Sequence, residues 1–173
     1  MSVVIDKVLP EDAFEFTACH IACWHSAYKG IIPDDYLANM SKEIEQRTER
    51  TRKNLNEVTE DTSYYCAKFE NKIIGFFIIT KSRDEDKLQA GQITAIYLLC
   101  EFWNKGYGRQ MMNCAIDALR NMGHREIIVW VLEENHRAKR FYEKCGFLPD
   151  GTKKEIEIGK SLIEIRYVLN IRQ

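Results

Sequence analysis

The 173-residue chain has little net charge, few prolines and no long apolar run. Twenty-five Lys and Arg against 26 Asp and Glu leave a formal charge of −1. That balance gives the molecule as a whole no electrostatic footprint for nucleic acid or an anionic membrane. Runs such as "EIIVWVL" are far shorter than a membrane span. The N-terminal "MSVVIDKVLPED" has an Asp at position 6 and no apolar core after a basic start, so it does not read as a signal peptide, and a cytoplasmic location is the default. No repeat, linker or low-complexity tract divides the chain, which reads as one domain over 1–173. The six cysteines include no C-x-x-C pair. Most lie in apolar patterns and read as reduced, buried, small hydrophobes. "CHIACWH" brings Cys19, His20, Cys23 and His25 together, but no second ligand pair accompanies them, and no metal is expected.

What is present is a hydrophobic pattern that changes period along the chain. "SVVIDKVL" (2–9) alternates as a strand, and 11–28 carries Phe14, Ala18, Ile21 and Ala22 at helical spacing. Pro33 can open a short helix through Leu37, and Ser41 is a plausible N-cap for a helix over 42–55. "TSYYCAKF" and "KIIGFFIIT" read as an antiparallel hairpin. The polar "KSRDEDKLQAG" (81–91) reads as a mobile loop. A strand (92–99), a helix (106–122), an all-apolar strand (126–132), a helix (135–145) and a closing hairpin about Gly159-Lys160 follow. The order β-α-α-β-β-β-α-β-α-β-β predicts an α/β (α+β) fold: a mixed, mostly antiparallel sheet of six or seven strands, with a central parallel pair and helices on both faces.

"FWNKGYGRQMM" (102–112) joins a strand to a helix through Gly106 and Gly108. Glycines there leave main-chain N–H groups uncovered at the positive end of a helix, a ready anion cradle, and Lys105 and Arg109 add cations. The Walker pattern is absent. The dinucleotide fingerprint fails as well, because position 111 is Met. Met112, Ala115, Ile116 and Leu119 form the buried stripe of the helix. Farther on, Asn135, Ala138 and Tyr142 fall on one helical stripe; on spacing alone Asn135 is equally an N-cap and Tyr142 equally a core aromatic.

Taken together, "LLCEFWNKGYGRQMM" and "VWVLEENHRAKRFYEKCGF" resemble the GNAT superfamily of acetyl-CoA-dependent N-acetyltransferases. The family loop [QR]-x-x-G-x-[GA] reads Trp103-Asn104-Lys105-Gly106-Tyr107-Gly108, with Trp103 where Gln or Arg is usual. The second signature, N-x-x-A-x-x-F-Y-x-x-x-G-F, is matched by Asn135, Ala138, Phe141, Tyr142, Gly146 and Phe147. "WHSAYKGIIPDDYLANMS" also resembles the acceptor-side segment of many bacterial members.

The resemblance implies that the main chain of Leu98 and Leu99 meets the acetyl-pantetheine arm. It implies that Asn104, Lys105, Gly106, Tyr107, Gly108 and Arg109 hold the diphosphate, that Asn135 and Ala138 flank the arm, and that Tyr142 is the acid at the departing sulfur. An amine acceptor must lose a proton before attack. Glu101, Glu133 and Glu134 are loop carboxylates in range of a base role, and a water relay is the alternative. Trp24 and Tyr28 are the leading acceptor-side residues, with Glu133, His25, Asp34, Asp35, Tyr36 and the 81–91 loop beside them. The expected partners are a coenzyme A thioester and an amine, with no nucleic acid or membrane, and a homodimer is left open. Two alternatives stand beside this reading: a non-catalytic acyl-CoA-binding module, against which Tyr142 argues, and an acyltransferase using another acyl group, decided by residues such as Leu99 or Phe141.

Overall fold

The structure, a computed structural model, describes residues 3–171. Twelve regular elements are found there in chain order: β1 (Val4–Lys7), α1 (Ala13–Ala27), α2 (Asp34–Lys42), α3 (Ile44–Asn56), β2 (Thr62–Phe69), β3 (Lys72–Lys81), β4 (Gly91–Leu98), α4 (Tyr107–Asn121), β5 (Glu126–Leu132), α5 (His136–Lys144), β6 (Leu148–Glu157) and β7 (Ser161–Asn170). The N-terminal strand was expected from residue 2, which lies outside the described residues. The seven strands form one sheet in the order β1-β2-β3-β4-β5-β7-β6. Every neighbouring pair is antiparallel except β4 and β5. This is the mixed sheet with a central parallel pair that the periodicity predicts.

Strand alternation divides the core between two faces. Phe77, Ile79, Ile93, Ile127, Val129 and Val131 pack beneath Met111, Met112, Ala115 and Leu119 of α4. The neighbouring Phe76 and Cys66 turn to the opposite face and meet Phe16, Cys19 and Cys23 of α1. Both α4 and α5 stop at a glycine in the left-handed region, Gly123 (φ 94°) and Gly146 (φ 93°).

Two local expectations change. Ser41 is not an N-cap: the apolar pattern that buries Leu37 and Met40 carries α2 on to Lys42, and α3 starts after Glu43, whose carboxylate pairs with Arg47 at 3.1 Å. Ser41 instead bonds His25 Nε2 through its hydroxyl, at 3.0 Å. The polar 81–91 loop is anchored rather than free. Arg166 on β7, 2% exposed, donates to Asp84 (3.0 Å), Asp86 (2.7 Å) and Asp150 (2.8 Å). Trp130 Nε1 adds a bond to Asp84 at 3.1 Å. Its hydrogen bonds to this acidic cluster, that to Asp86 foremost, hold the guanidinium charged well beyond its ordinary range. The partner that pins the loop lies some 80 residues downstream, so local composition could not reveal it.

Candidate active site

The site begins with a break in the sheet. Along β3, Ile78 pairs with Ala95 but the next residue, Ile79, pairs with Ile93, so Thr94 is an extra residue in β4. Such a bulge bends a strand and increases its twist. On its other side, β4 pairs with β5 only at Gly91–Ile127, Gln92–Ile128 and Ile93–Val129. Pairing therefore ends at the bulge, and the strands diverge toward their C-terminal ends. The gap opens a cleft of about 700 Å³, lined by Thr94–Leu98 on one side and Val129–Val131 on the other.

At one end of the cleft lies the glycine loop. Asn104 (φ 60°) and Gly106 (φ 85°) both take left-handed backbone angles, and Gly106 caps α4. Alternating left-handed turns of this kind aim successive N–H groups inward, where the unpaired donors of a helix start add to them. Asn104, Gly106, Gly108 and Arg109 line the cleft. Arg109 also donates to Lys144 O at 3.1 Å, closing the end of α5. The other two loop side chains turn outward: Lys105 Nζ lies 5.2 Å over the Phe102 ring, and Tyr107 packs against Phe69 and Phe102. Neither side chain lines the cleft.

Along the cleft, α5 presents its stripe. Asn135 Oδ1 accepts from Ala138 N at 3.1 Å, so the capping role is real. It uses the amide oxygen and leaves the Nδ2 donors for a ligand. Asn135, Ala138 and Tyr142 all line the cleft, together with Arg137, Arg140 and Lys144. The two neighbouring leucines divide. Leu98 lines the cleft, and its carbonyl accepts from Trp103 Nε1 at 2.7 Å. Leu99 N–H is taken by Ile74 O at 2.8 Å, on the β3 side.

Tyr142 is buried among Phe141, Phe147 and Tyr167, and burial pushes its phenol well above the ordinary range. Nearby Tyr28, Cys145 and Glu164 push in the same direction. At the α1 end, the hydroxyls of Tyr28 and Tyr97 are 2.7 Å apart, and burial pushes Tyr28 up to about 12. Tyr97 is raised further by burial and by the Tyr28 phenol. The Trp24 ring meets Tyr28 edge-on at 5.0 Å. Its buried Nε1 completes no hydrogen bond, although it lies near enough to Tyr97 to favour that phenolate. His20 stacks on Tyr97, and burial pulls its imidazole down to about 4, keeping it neutral.

The expected acidic residues are placed elsewhere. Lys153 Nζ holds Glu133 at 2.7 Å and keeps its carboxyl below the usual range. Glu101, Glu134, Asp34 and Asp35 are exposed, and none of the five is among the residues lining the cleft. Nor is any residue of the 81–91 loop. His25 is bound to Ser41. Sequence reasoning missed Tyr97, His20 and Arg137. Alternation in β4 puts Tyr97 on the same face as Ala95, which was a usable signal, whereas the meeting of α1 with β4 was not.

Comparison with known proteins agrees with this geometry. Residues 24–147 match the model of the acetyltransferase (GNAT) family. The uncharacterized N-acetyltransferase YuaI of Bacillus subtilis is 28% identical over 134 residues, covering 77% of this chain and 73% of that protein. An uncharacterized N-acetyltransferase of Mycobacterium tuberculosis is 26% identical over 87 residues, about half of each protein (50% and 53%). Among solved structures, the PaiA N-acetyltransferase of Thermoplasma acidophilum, in complex with coenzyme A, superposes with a TM-score of 0.76 at 20% identity over 98% of this chain and 99% of that one.

Proposed function

The chain belongs to the GNAT family of N-acetyltransferases, and from that premise we propose that it transfers the acetyl group of acetyl-CoA to a primary amine of a small molecule or peptide, by direct attack within a ternary complex. One observation carries the reading. A single cleft runs from the glycine loop, between the parted strands, to the phenols of Tyr142, Tyr28 and Tyr97. A long thioester can enter at one end and an amine at the other, and the two meet beside Tyr142.

The residues divide the work as follows. Main-chain N–H groups over 104–109 take the diphosphate, with Arg109 adding charge. Asn135 Nδ2 and the stretch of β4 beyond Ile93 that no longer pairs with β5 hold the pantetheine amides, although Leu98 O is already taken by Trp103, and Ala138 leaves them room. The amine nitrogen attacks the acetyl carbonyl, and a main-chain N–H of β4 near Leu98 steadies the oxyanion. The carbon–sulfur bond then breaks. The amine's proton leaves through water at the α1 end, because the candidate carboxylates lie outside the cleft.

Tyr142 serves the sulfur. Its raised pKa makes it a reluctant full proton donor but a phenol that stays protonated at every working pH, so it hydrogen-bonds the thiolate as charge develops. Tyr28 forms the acceptor wall, with Trp24, which does not itself line the cleft, packed behind it. Glu133 would contribute only if an acceptor displaced Lys153.

The test is thiol release over a panel of amines, beside calorimetry with coenzyme A. Amine-dependent thiol release supports transfer. Tight coenzyme A binding with no release on any amine supports a non-catalytic acyl-CoA-binding module instead.

A further inference from the structure

The glycine loop carries an unusual residue at its first position, and the structure shows what that residue holds. Trp103 is fixed at two points. Its Nε1–H donates to Leu98 O at 2.7 Å, which ties the indole to the end of β4. The central carbon of the Arg137 guanidinium lies over the ring, 3.0 Å from its centroid. Trp103 and Arg137 both line the cleft, beside Asn104, Gly106 and Gly108. Arg137 comes from the first turn of α5, directly between the capping Asn135 and Ala138.

The indole covers one side of the guanidinium, and among the described residues no side chain or carbonyl accepts from its N–H groups. Partial burial pulls the Arg137 guanidinium below the ordinary range, with no carboxylate set against it. A planar fork of five donors, held by an aromatic face in the same cleft as Asn104, Gly106 and Gly108, suits a phosphate oxyanion. It also answers the departure at position 103. A side chain with polar hydrogen-bonding capacity is replaced there by an indole, and the indole delivers a cation from the neighbouring helix to the same place.

We propose that Arg137, preorganised by stacking on Trp103, is a side-chain ligand of the coenzyme A diphosphate, closing the cleft opposite the main-chain cradle of residues 104–109. This rests on the coenzyme A reading above. It adds a second wall to the cradle and assigns Trp103 as the residue that positions that wall.

The test compares coenzyme A with dephospho-coenzyme A, which keeps the diphosphate and lacks the 3′-phosphate, by calorimetry on the unaltered chain and on Arg137→Gln. One charge-assisted contact corresponds to about a 10- to 100-fold loss of affinity. The expected loss has that size and is equal for the two ligands. A loss seen with coenzyme A alone would move Arg137 to the 3′-phosphate and overturn the assignment, as would no loss with either.

A second comparison tests the stack. In a Trp103→Ala background, Arg137→Gln should cost much less than in the unaltered chain, since the guanidinium is no longer held. Equal costs in both backgrounds would overturn the positioning role. Far-ultraviolet circular dichroism and melting temperature confirm that each variant is folded. Coenzyme A that fails to bind the unaltered chain removes the acetyltransfer reading itself. Binding that ignores Arg137 removes only this one.

Discussion

The two ends of the cleft are built from different materials. At the α4 end, the groups that face the cleft are main-chain N–H donors and cations, and they come from two short segments, 103–109 and 135–144. At the α1 end they are phenols brought from α1, β4 and α5: Tyr28, Tyr97 and Tyr142, with the rings of Trp24 and His20 packed behind them. The first end is held by local backbone geometry and the second by side-chain packing over long sequence separations. A main-chain cradle tolerates side-chain change as long as its dihedral angles survive. An aromatic wall is sensitive to every ring.

Tyr142→Phe is the largest break in that contrast, because Tyr142 stands where the two ends meet. Turnover should fall by about 10²- to 10³-fold, the usual worth of one preorganised hydrogen-bond donor to developing charge, while calorimetric affinity for coenzyme A is retained. The raised phenol stays protonated past pH 10, so the unaltered chain should show no loss of turnover from Tyr142 deprotonation below that pH. Unchanged turnover in the variant would remove Tyr142 from the chemistry.

Next in size is an effect on the aromatic end alone. His20 is pulled from 6.5 down to about 4 by burial, so the unfolded chain binds more protons between those values. Stability tied to His20 is fully present above pH 6.5 and is lost as the pH falls to 4, by about 3 kcal/mol at most. Chemical denaturation at pH 7 and pH 4 measures the loss. His20→Phe should reduce the difference between the two pH values, and an identical difference in the variant would contradict the burial argument.

Gly106→Val then sharpens the comparison from the other side. A β-branched residue at φ 85° is strained by about 1–2 kcal/mol. Relaxing that strain moves the N–H groups, so coenzyme A affinity should weaken about tenfold, with the aromatic end unaffected. Gly108→Ala makes the control, since an added Cβ would meet only the Phe141 ring at an ordinary 3.5 Å. The smallest effect expected is that of Tyr28→Phe. It removes one neutral hydrogen bond, worth about 1 kcal/mol, and should raise the acceptor KM several-fold without changing coenzyme A affinity.

The same contrast explains what the sequence made legible. Gly106, Gly108, Asn135, Ala138 and Tyr142 were readable because their spacing is their geometry: a few residues of loop, two turns of helix. Strand alternation likewise gave the mixed sheet and its parallel pair. The aromatic wall was readable only in part, as Trp24 and Tyr28, because Tyr97 joins them from 69 residues away. Glu133 looked available in the sequence, and Lys153, twenty residues on, had already claimed it. Leu98 and Leu99 were indistinguishable as letters, and the pleat sent one to the cleft and the other to β3. The anchored 81–91 loop belongs with these cases, since its composition is that of a free segment and its fate is decided by one arginine on the far strand.

The bulge at Thr94 reaches beyond the site. It leaves two antiparallel leaves, β1–β4 and β5–β7, stitched along a seam only three residue pairs long. An elongated ligand lying in the gap would supply the missing rungs, so its binding should slow amide exchange on both leaves at once, far from any atom it touches.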